Sequence, residues 1–117
     1  MKYCAVFHLF YLNGNKKDIG VTRIHIENDA GKLVHVGKAS LVDFNRTSVP
    51  LIEIVSQPDL SSAEEVEAYL VRLRTLLRYA KVAECEMAHG TMRCDVNLSV
   101  RPEGSDKLGV RTEMKNM

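Results

Sequence analysis

Between Ser61 and Ala80 the spacing of apolar residues changes, and that change limits what the chain can become. Val66, Leu70, Leu73, Leu77 and Ala80 recur at intervals of four and three, with Tyr69 and Leu76 alongside. This lays one apolar stripe along a helix expected from about Ser62 to Ala80. Ser61-Ser62-Ala63-Glu64 heads it as a capping box, the serine hydroxyl and the glutamate each satisfying an unpaired amide of the first turn. Arg72, Arg74 and Arg78 fall in its later part, where cations suit the negative end of the helix dipole. The plain expectation for these arginines is a solvated face rather than an RNA contact. On both sides of the helix the period is two. Strands, one long helix, then strands: that order predicts an α+β domain on an antiparallel β-sheet, with the helix flanking it.

Upstream, Val6–Leu12 and Ile19–Ile26 are β-rich runs separated by Asn13-Gly14 and a polar stretch to Asp18, a strong hairpin signal. Asp29-Ala30-Gly31-Lys32 breaks the second run, and Leu33–Val36 forms a short extended piece ending at Gly37. Leu41–Phe44 and Leu51–Val55 read as further strands joined by Asn45–Ser48. Downstream, Met92, Cys94, Val96, Leu98 and Val100 alternate with Arg93, Asp95, Asn97, Ser99 and Arg101. After Pro102–Lys107 the alternation resumes, Leu108, Val110, Thr112 and Met114 against Gly109, Arg111, Glu113 and Lys115. The two runs predict an antiparallel hairpin with one apolar face.

At 117 residues, 45% hydrophobic and 26% charged, the chain has the balance of one globular domain or part of one. A net charge of +1 gives no global field to draw RNA in, which disfavours an unrelated RNA-binding module. Cys4, Cys85 and Cys94 lie far apart with no Cys-x-x-Cys pair, so reduced thiols are expected and a zinc site is not. The opening MKYCAVFHLFYLN lacks a small-residue cleavage pattern and reads as a strand rather than a signal peptide. No apolar run approaches the roughly 20 residues that cross a bilayer, so a soluble protein with no membrane partner is expected.

Glu53 is the most anomalous residue. It interrupts Leu51-Ile52-Glu53-Ile54-Val55, a run apolar on both faces as in a buried strand. An unpaired carboxylate there would cost several kcal/mol, so it needs a cation, a metal or a set of donors. The alternatives are an edge strand on which Glu53 meets water, or a pair with an arginine. In Arg23–Asp29, Arg23, His25 and Glu27 share one strand face and Ile24 and Ile26 the other, an arrangement that suits a nucleotide or metal site and equally a solvated sheet face. Asp29-Ala30-Gly31-Lys32 lacks the spaced glycines and Lys-Ser/Thr ending of a Walker loop, so a P-loop is rejected. On the downstream hairpin, Arg93, Asp95, Asn97, Arg111, Glu113 and Lys115 could be cross-strand pairs, or a cleft floor offering cations to phosphate and oxygens to hydrated Mg²⁺.

Three segments carry a resemblance: Arg23–Lys32 (RIHIENDAGK), Ser40–Ser56 (SLVDFNRTSVPLIEIVS) and Gly90–Pro102 (GTMRCDVNLSVRP). Pro58-Asp59, the Ser-x-x-Glu helix start and Glu113-x-Lys115-Asn116 extend it. From about Tyr11 to Met117 the chain resembles the catalytic domain of the GatB family, the B subunits of the aspartyl/glutamyl-tRNA amidotransferases, with no comparable match seen over Met1–Phe10. The resemblance implies a cradle-shaped antiparallel sheet similar to glutamine synthetase. It implies ATP-dependent phosphorylation of the side-chain carboxylate of Glu-tRNA(Gln) or Asp-tRNA(Asn), followed by amidation with ammonia that the glutaminase partner releases from glutamine. Mg²⁺ and ATP are the implied cofactors. The implied partners are the enzyme's A (glutaminase) and C subunits and a misacylated tRNA, in the cytoplasm or an organellar matrix. By position, Glu27 and Glu53 match the family's catalytic, metal-binding carboxylates, and Arg93, Asp95, Asn97, Glu113 and Lys115 match positions around its nucleotide cleft.

The chain also departs from the family pattern. Glu27-Asn28-Asp29 stands where Glu-Glu-Asp is usual, and Met87-Ala88-His89-Gly90 where an acidic segment is usual. The family's first metal-ligand strand has no counterpart in residues 1–117, nor do its helical domain and tRNA-reading tail. A partial catalytic domain with a short metal shell is therefore expected. The alternative is an inert fragment that acts as an interaction or dimerisation module through open sheet edges.

Overall fold

The computed structural model describes residues 5–10, 16–28, 31–43 and 49–115, with only the backbone described for 5–10 and for 32. Strand β1 (Ala5–Phe10) pairs antiparallel with β2 (Lys16–Asn28), from Ala5 opposite Val21 to Phe10 opposite Lys16. This is the predicted hairpin, with β2 beginning three residues early; Asn13-Gly14 lies outside the described residues. Strands β3 (Lys32–Val36) and β4 (Ala39–Asp43) form a second antiparallel pair. Their turn is Gly37-Lys38, and Gly37 adopts φ +59°, a left-handed conformation that glycine reaches without steric cost. Strand β5 (Pro50–Ser56) adds to the free edge of β2, giving the order β1-β2-β5.

Helix α1 runs Ala63–Tyr79, as its stripe predicts, but its cap sits one residue later than expected. The Ser62 hydroxyl accepts a hydrogen bond from the Glu65 amide (3.2 Å), and the Glu65 carboxylate accepts one from the Ser61 amide (2.7 Å). The cap is thus Ser62, with Glu65 reaching past it to the Ser61 amide, and Lys17 of β2 holds the same carboxylate at 2.8 Å. At the other end Lys81, with φ 56°, donates its amide to the Arg78 carbonyl while Val82 donates to Leu77. These are the paired bonds of a Schellman cap, built on lysine where glycine is usual.

The predicted long hairpin shrinks to β6 (Val96–Leu98) and β7 (Thr112–Met114), joined by irregular chain. Among the described residues the expected single sheet is instead three antiparallel sheets of three, two and two strands. With the one helix of the described residues, the architecture is α+β.

The chain divides into two compact units, Met1–Leu70 and Val71–Met117, with the boundary inside α1. Among the described residues, Ile19, Val21 and Tyr69 are the buried apolar side chains of the first and Leu73 and Cys85 those of the second. Strand β5 is not the buried strand its composition suggests: Ile52 keeps 38% of its surface exposed, and Glu53 is exposed too. Among the described residues no helix is long and apolar enough to cross a membrane.

Candidate active site

The β2–β5 ladder sorts its side chains by face. Ile24 lies opposite Ile54 and Ile26 opposite Ile52 on one side; His25 lies opposite Glu53 and Glu27 opposite Leu51 on the other. Arg23, His25, Glu27 and Glu53 therefore share a face, as the alternation predicts. Glu53 and Glu27 are diagonal neighbours across the pair, a placement that sets such residues about 7–8 Å apart.

Arg23 Nη2 donates to Glu53 Oε1 at 3.2 Å, and His25 Nδ1 lies 3.9 Å from Glu27 Oε2. This answers the Glu53 anomaly in the plainer of the ways foreseen, with an arginine partner on a half-exposed strand. Both side chains of the Arg23–Glu53 pair are about half exposed or more, so the pair contributes at most about 1 kcal/mol and opens readily to a competing ligand.

An irregularity in β2 makes this face possible. Val21 pairs with Ser56 and Arg23 with Val55, so Thr22 is an extra residue, a β-bulge. In a regular strand Ile19, Val21, Arg23, His25 and Glu27 would all point the same way. The bulge reverses the alternation, so that Ile19 and Val21 join the side of Ile24 and Ile26 while the polar run points to the other. The signal was present in the sequence: apolar parity switches from odd at Ile19 and Val21 to even at Ile24 and Ile26.

In the second unit, Asn97 lies opposite Glu113, and Lys115 Nζ lies 3.9 Å from Glu113 Oε2. Arg93 and Asp95 sit in the irregular stretch before β6, outside any strand. Burial, and secondly the Asp95 carboxylate, push the Cys94 thiol above its ordinary range. In the same unit, Arg74 and Arg78 of α1 do more than face solvent. Arg74 donates to the Glu86 carboxylate and, through Nε, to the Cys85 carbonyl at 3.0 Å, while Arg78 reaches Glu86 at 3.3 Å. Arg74 holds the Glu86 carboxyl below the usual range, chiefly by that hydrogen bond. Cys85 itself is buried with φ 56°.

Among the described residues no group of three or more His, Cys, Asp and Glu is placed to hold a metal ion. The polar face of β2–β5 offers two carboxylates beside an arginine and an imidazole. That donor set suits a hydrated Mg²⁺, which takes one or two carboxylates and completes its shell with water and phosphate oxygens.

The GatB/GatE catalytic domain profile matches residues 6–117. The chain belongs to this family. The match includes residues 6–10, for which the motifs showed no counterpart. Over 107 residues the chain is 58% identical to the aspartyl/glutamyl-tRNA(Asn/Gln) amidotransferase B subunit of Geobacillus thermodenitrificans (strain NG80-2), covering 91% of this chain and 22% of that protein. It is 59% identical over 105 residues to the corresponding protein of Clostridium tetani (strain Massachusetts / E88), covering 90% and 22%. The corresponding protein of Moorella thermoacetica (strain ATCC 39073 / JCM 9320) is 56% identical over 110 residues, covering 91% and 23%. The chain thus spans under a quarter of the length of these GatB/GatE family relatives.

Proposed function

We propose that the chain contributes the carboxylate-activating chemistry of a tRNA-dependent amidotransferase, on a sheet related to that of glutamine synthetase. The observation that carries this reading is Glu27 and Glu53 on one sheet face with Arg23 and His25, within a member of the GatB/GatE catalytic domain family. The substrates are ATP and a misacylated tRNA, Glu-tRNA(Gln) or Asp-tRNA(Asn). The protein partners are the glutaminase and C subunits of the same enzyme, and the setting is bacterial cytoplasm or an organellar matrix.

The chemistry has a plain need. A carboxylate is a poor electrophile, so one side-chain oxygen of the tRNA-borne residue attacks the γ-phosphorus of ATP and ADP leaves with the bond electrons. Ammonia then attacks the carbonyl carbon of the acyl phosphate, phosphate departs with the C–O bond electrons, and loss of a proton from nitrogen leaves the amide. Phosphoryl transfer of this kind depends on positioning and on neutralising charge rather than on covalent help from the protein. Glu27 and Glu53 would hold Mg²⁺, which supplies charge neutralisation at the phosphate oxygens. Arg23, released from Glu53, meets phosphate oxygens with its planar donors. On the second unit, taken by itself, Arg93 and Lys115 offer cations and Asp95, Asn97 and Glu113 offer oxygen ligands to a nucleotide.

A second reading, a non-catalytic interaction module or homo-oligomer joined through open sheet edges, is favoured by the apolar surface the chain leaves exposed, Ile26 at 74% among it. Calorimetric titration with Mg-ATP separates the two. Micromolar binding that is lost in Glu53→Ala, with circular dichroism unchanged, supports the catalytic reading; binding that survives the substitution removes Glu53 from the site. No binding by the parent chain supports the interaction module.

A further inference from the structure

Pro58-Asp59 belongs to the matching motif, yet the chemistry above gives Asp59 nothing to do. Its side chain points back to β2: Asp59 Oδ2 accepts a hydrogen bond from the buried Gly20 amide at 2.9 Å. The Gly20 carbonyl in turn accepts from the Gln57 amide at 2.7 Å. Gln57 Nε2 donates to Thr22 Oγ1 at 2.9 Å, so its side chain ties down the bulged residue itself. Both backbone groups of Gly20 and the side chain of Thr22 are thus bound by the segment that follows β5, around the single register slip of the β2–β5 ladder.

We propose that Gln57 and Asp59 are positioning residues: they brace the Thr22 bulge and thereby aim Arg23, His25 and Glu27 at the side of the sheet that carries Glu53. The physical case rests on the period of a strand. One residue of slip moves every following side chain to the opposite face. Without the bulge, β2 would have to place either Ile19 and Val21 or Ile24 and Ile26 on the polar side. The brace fixes the slip at Thr22 and no later, which brings His25 opposite Glu53 and Glu27 diagonal to it. Gly20 is buried, and its amide needs an acceptor there.

This inference rests on the reading of that face as a divalent-cation and phosphate site, and the experiment separates failure of one from failure of the other. Mn²⁺, used in place of Mg²⁺, is titrated into the full chain and into Asp59→Ala, Asp59→Asn, Gln57→Leu and Glu53→Ala, with free ion read by electron paramagnetic resonance. Nuclear Overhauser contacts between the His25 ring and the Glu53 side chain are recorded on the same samples. The expected result is a loss of Mn²⁺ affinity of fivefold or more in Asp59→Ala and Gln57→Leu, with the His25–Glu53 contacts weakened. Asp59→Asn, which keeps an acceptor for Gly20, stays within twofold of the parent. Unchanged affinity and unchanged contacts in Gln57→Leu and Asp59→Ala overturn the proposal. Should Asp59→Ala fail to fold, Gln57→Leu decides, since it removes one exposed side-chain bond and leaves the backbone bonds in place. If the parent binds no Mn²⁺, or Glu53→Ala binds as the parent does, the cation-site reading falls. The contacts alone then decide the brace: lost in Gln57→Leu they support it, retained they overturn it.

Discussion

The β2–β5 ladder and the β6–β7 pair are both two-faced antiparallel ribbons, yet one extends over most of β2 and the other stops after Val96–Leu98 and Thr112–Met114. The alternation in sequence is cleaner in the second. What separates them is anchorage. β2 passes through buried positions at Ile19–Val21, with Ile19 and Val21 at 0% exposure, and is tied to the helix start by Lys17 and Glu65 and to the chain after β5 by Gln57 and Asp59. The second pair has an apolar side of Val96, Leu98, Thr112 and Met114 with nothing fully buried, and Val110 beyond it is 91% exposed. Alternation decides which side chains share a face; burial decides how far the pairing runs.

The contrast can be broken most strongly at the anchor. Ile19→Ala is expected to lower unfolding free energy by about 2–4 kcal/mol in a denaturant titration, whereas Val110→Ala changes it by less than about 0.5 kcal/mol. Equal effects would remove burial as the distinction. A smaller effect is expected at Gly109, in the chain that joins β6 to β7, where an added Cβ would overlap the Val100 carbonyl oxygen. Gly109→Ala should cost about 1–3 kcal/mol and erase amide-exchange protection in β6 and β7 while leaving β2 protected.

The smallest effect sharpens the comparison through pH. The Lys17 hydrogen bond, foremost, and then the Ser61 amide hold the Glu65 carboxyl down from 4.5 to about 2. A carboxyl lowered by folding stabilises the native state fully above its unfolded value and loses that contribution as pH falls through the folded one. Stability should therefore decline between about pH 4.5 and pH 2, by roughly 1–2 kcal/mol once solvent screening at the part-exposed Lys17 is allowed for. In Glu65→Gln that acid limb should flatten. An unchanged limb would show that the helix start is not anchored to β2 in this way.

Much of the fold was legible because it is local. The helix stripe, the first hairpin pairing, the break after Asn28 and the faces of Arg23–Glu27 follow from spacing alone. What was not legible depended on partners distant in sequence. The cap is Ser62 with Glu65 rather than Ser61 with Glu64, and the Glu65 carboxylate also binds Lys17, 48 residues away. Arg72 is exposed as expected, whereas Arg74 and Arg78 looked like a solvated face because Glu86 lies beyond the helix end. Glu53 looked buried because its neighbours are apolar, whereas strand exposure depends on what covers the sheet. The parity switch at Thr22 was visible, but its meaning required knowing that β5 pairs with both sides of it. For the site, the sequence identified the polar side chains of β2 and β5, and the register supplies their mutual placement.

The central claim is that the face bearing His25, Glu27 and Glu53 receives a divalent cation. Paramagnetic broadening by substoichiometric Mn²⁺ in the proton–nitrogen spectrum of the chain tests it most directly. Selective loss of the signals of His25, Glu27 and Glu53, reversed by excess Mg²⁺, is the result expected. Broadening centred on Glu64 and Glu65 at the helix start, or spread evenly over exposed acids, would contradict it.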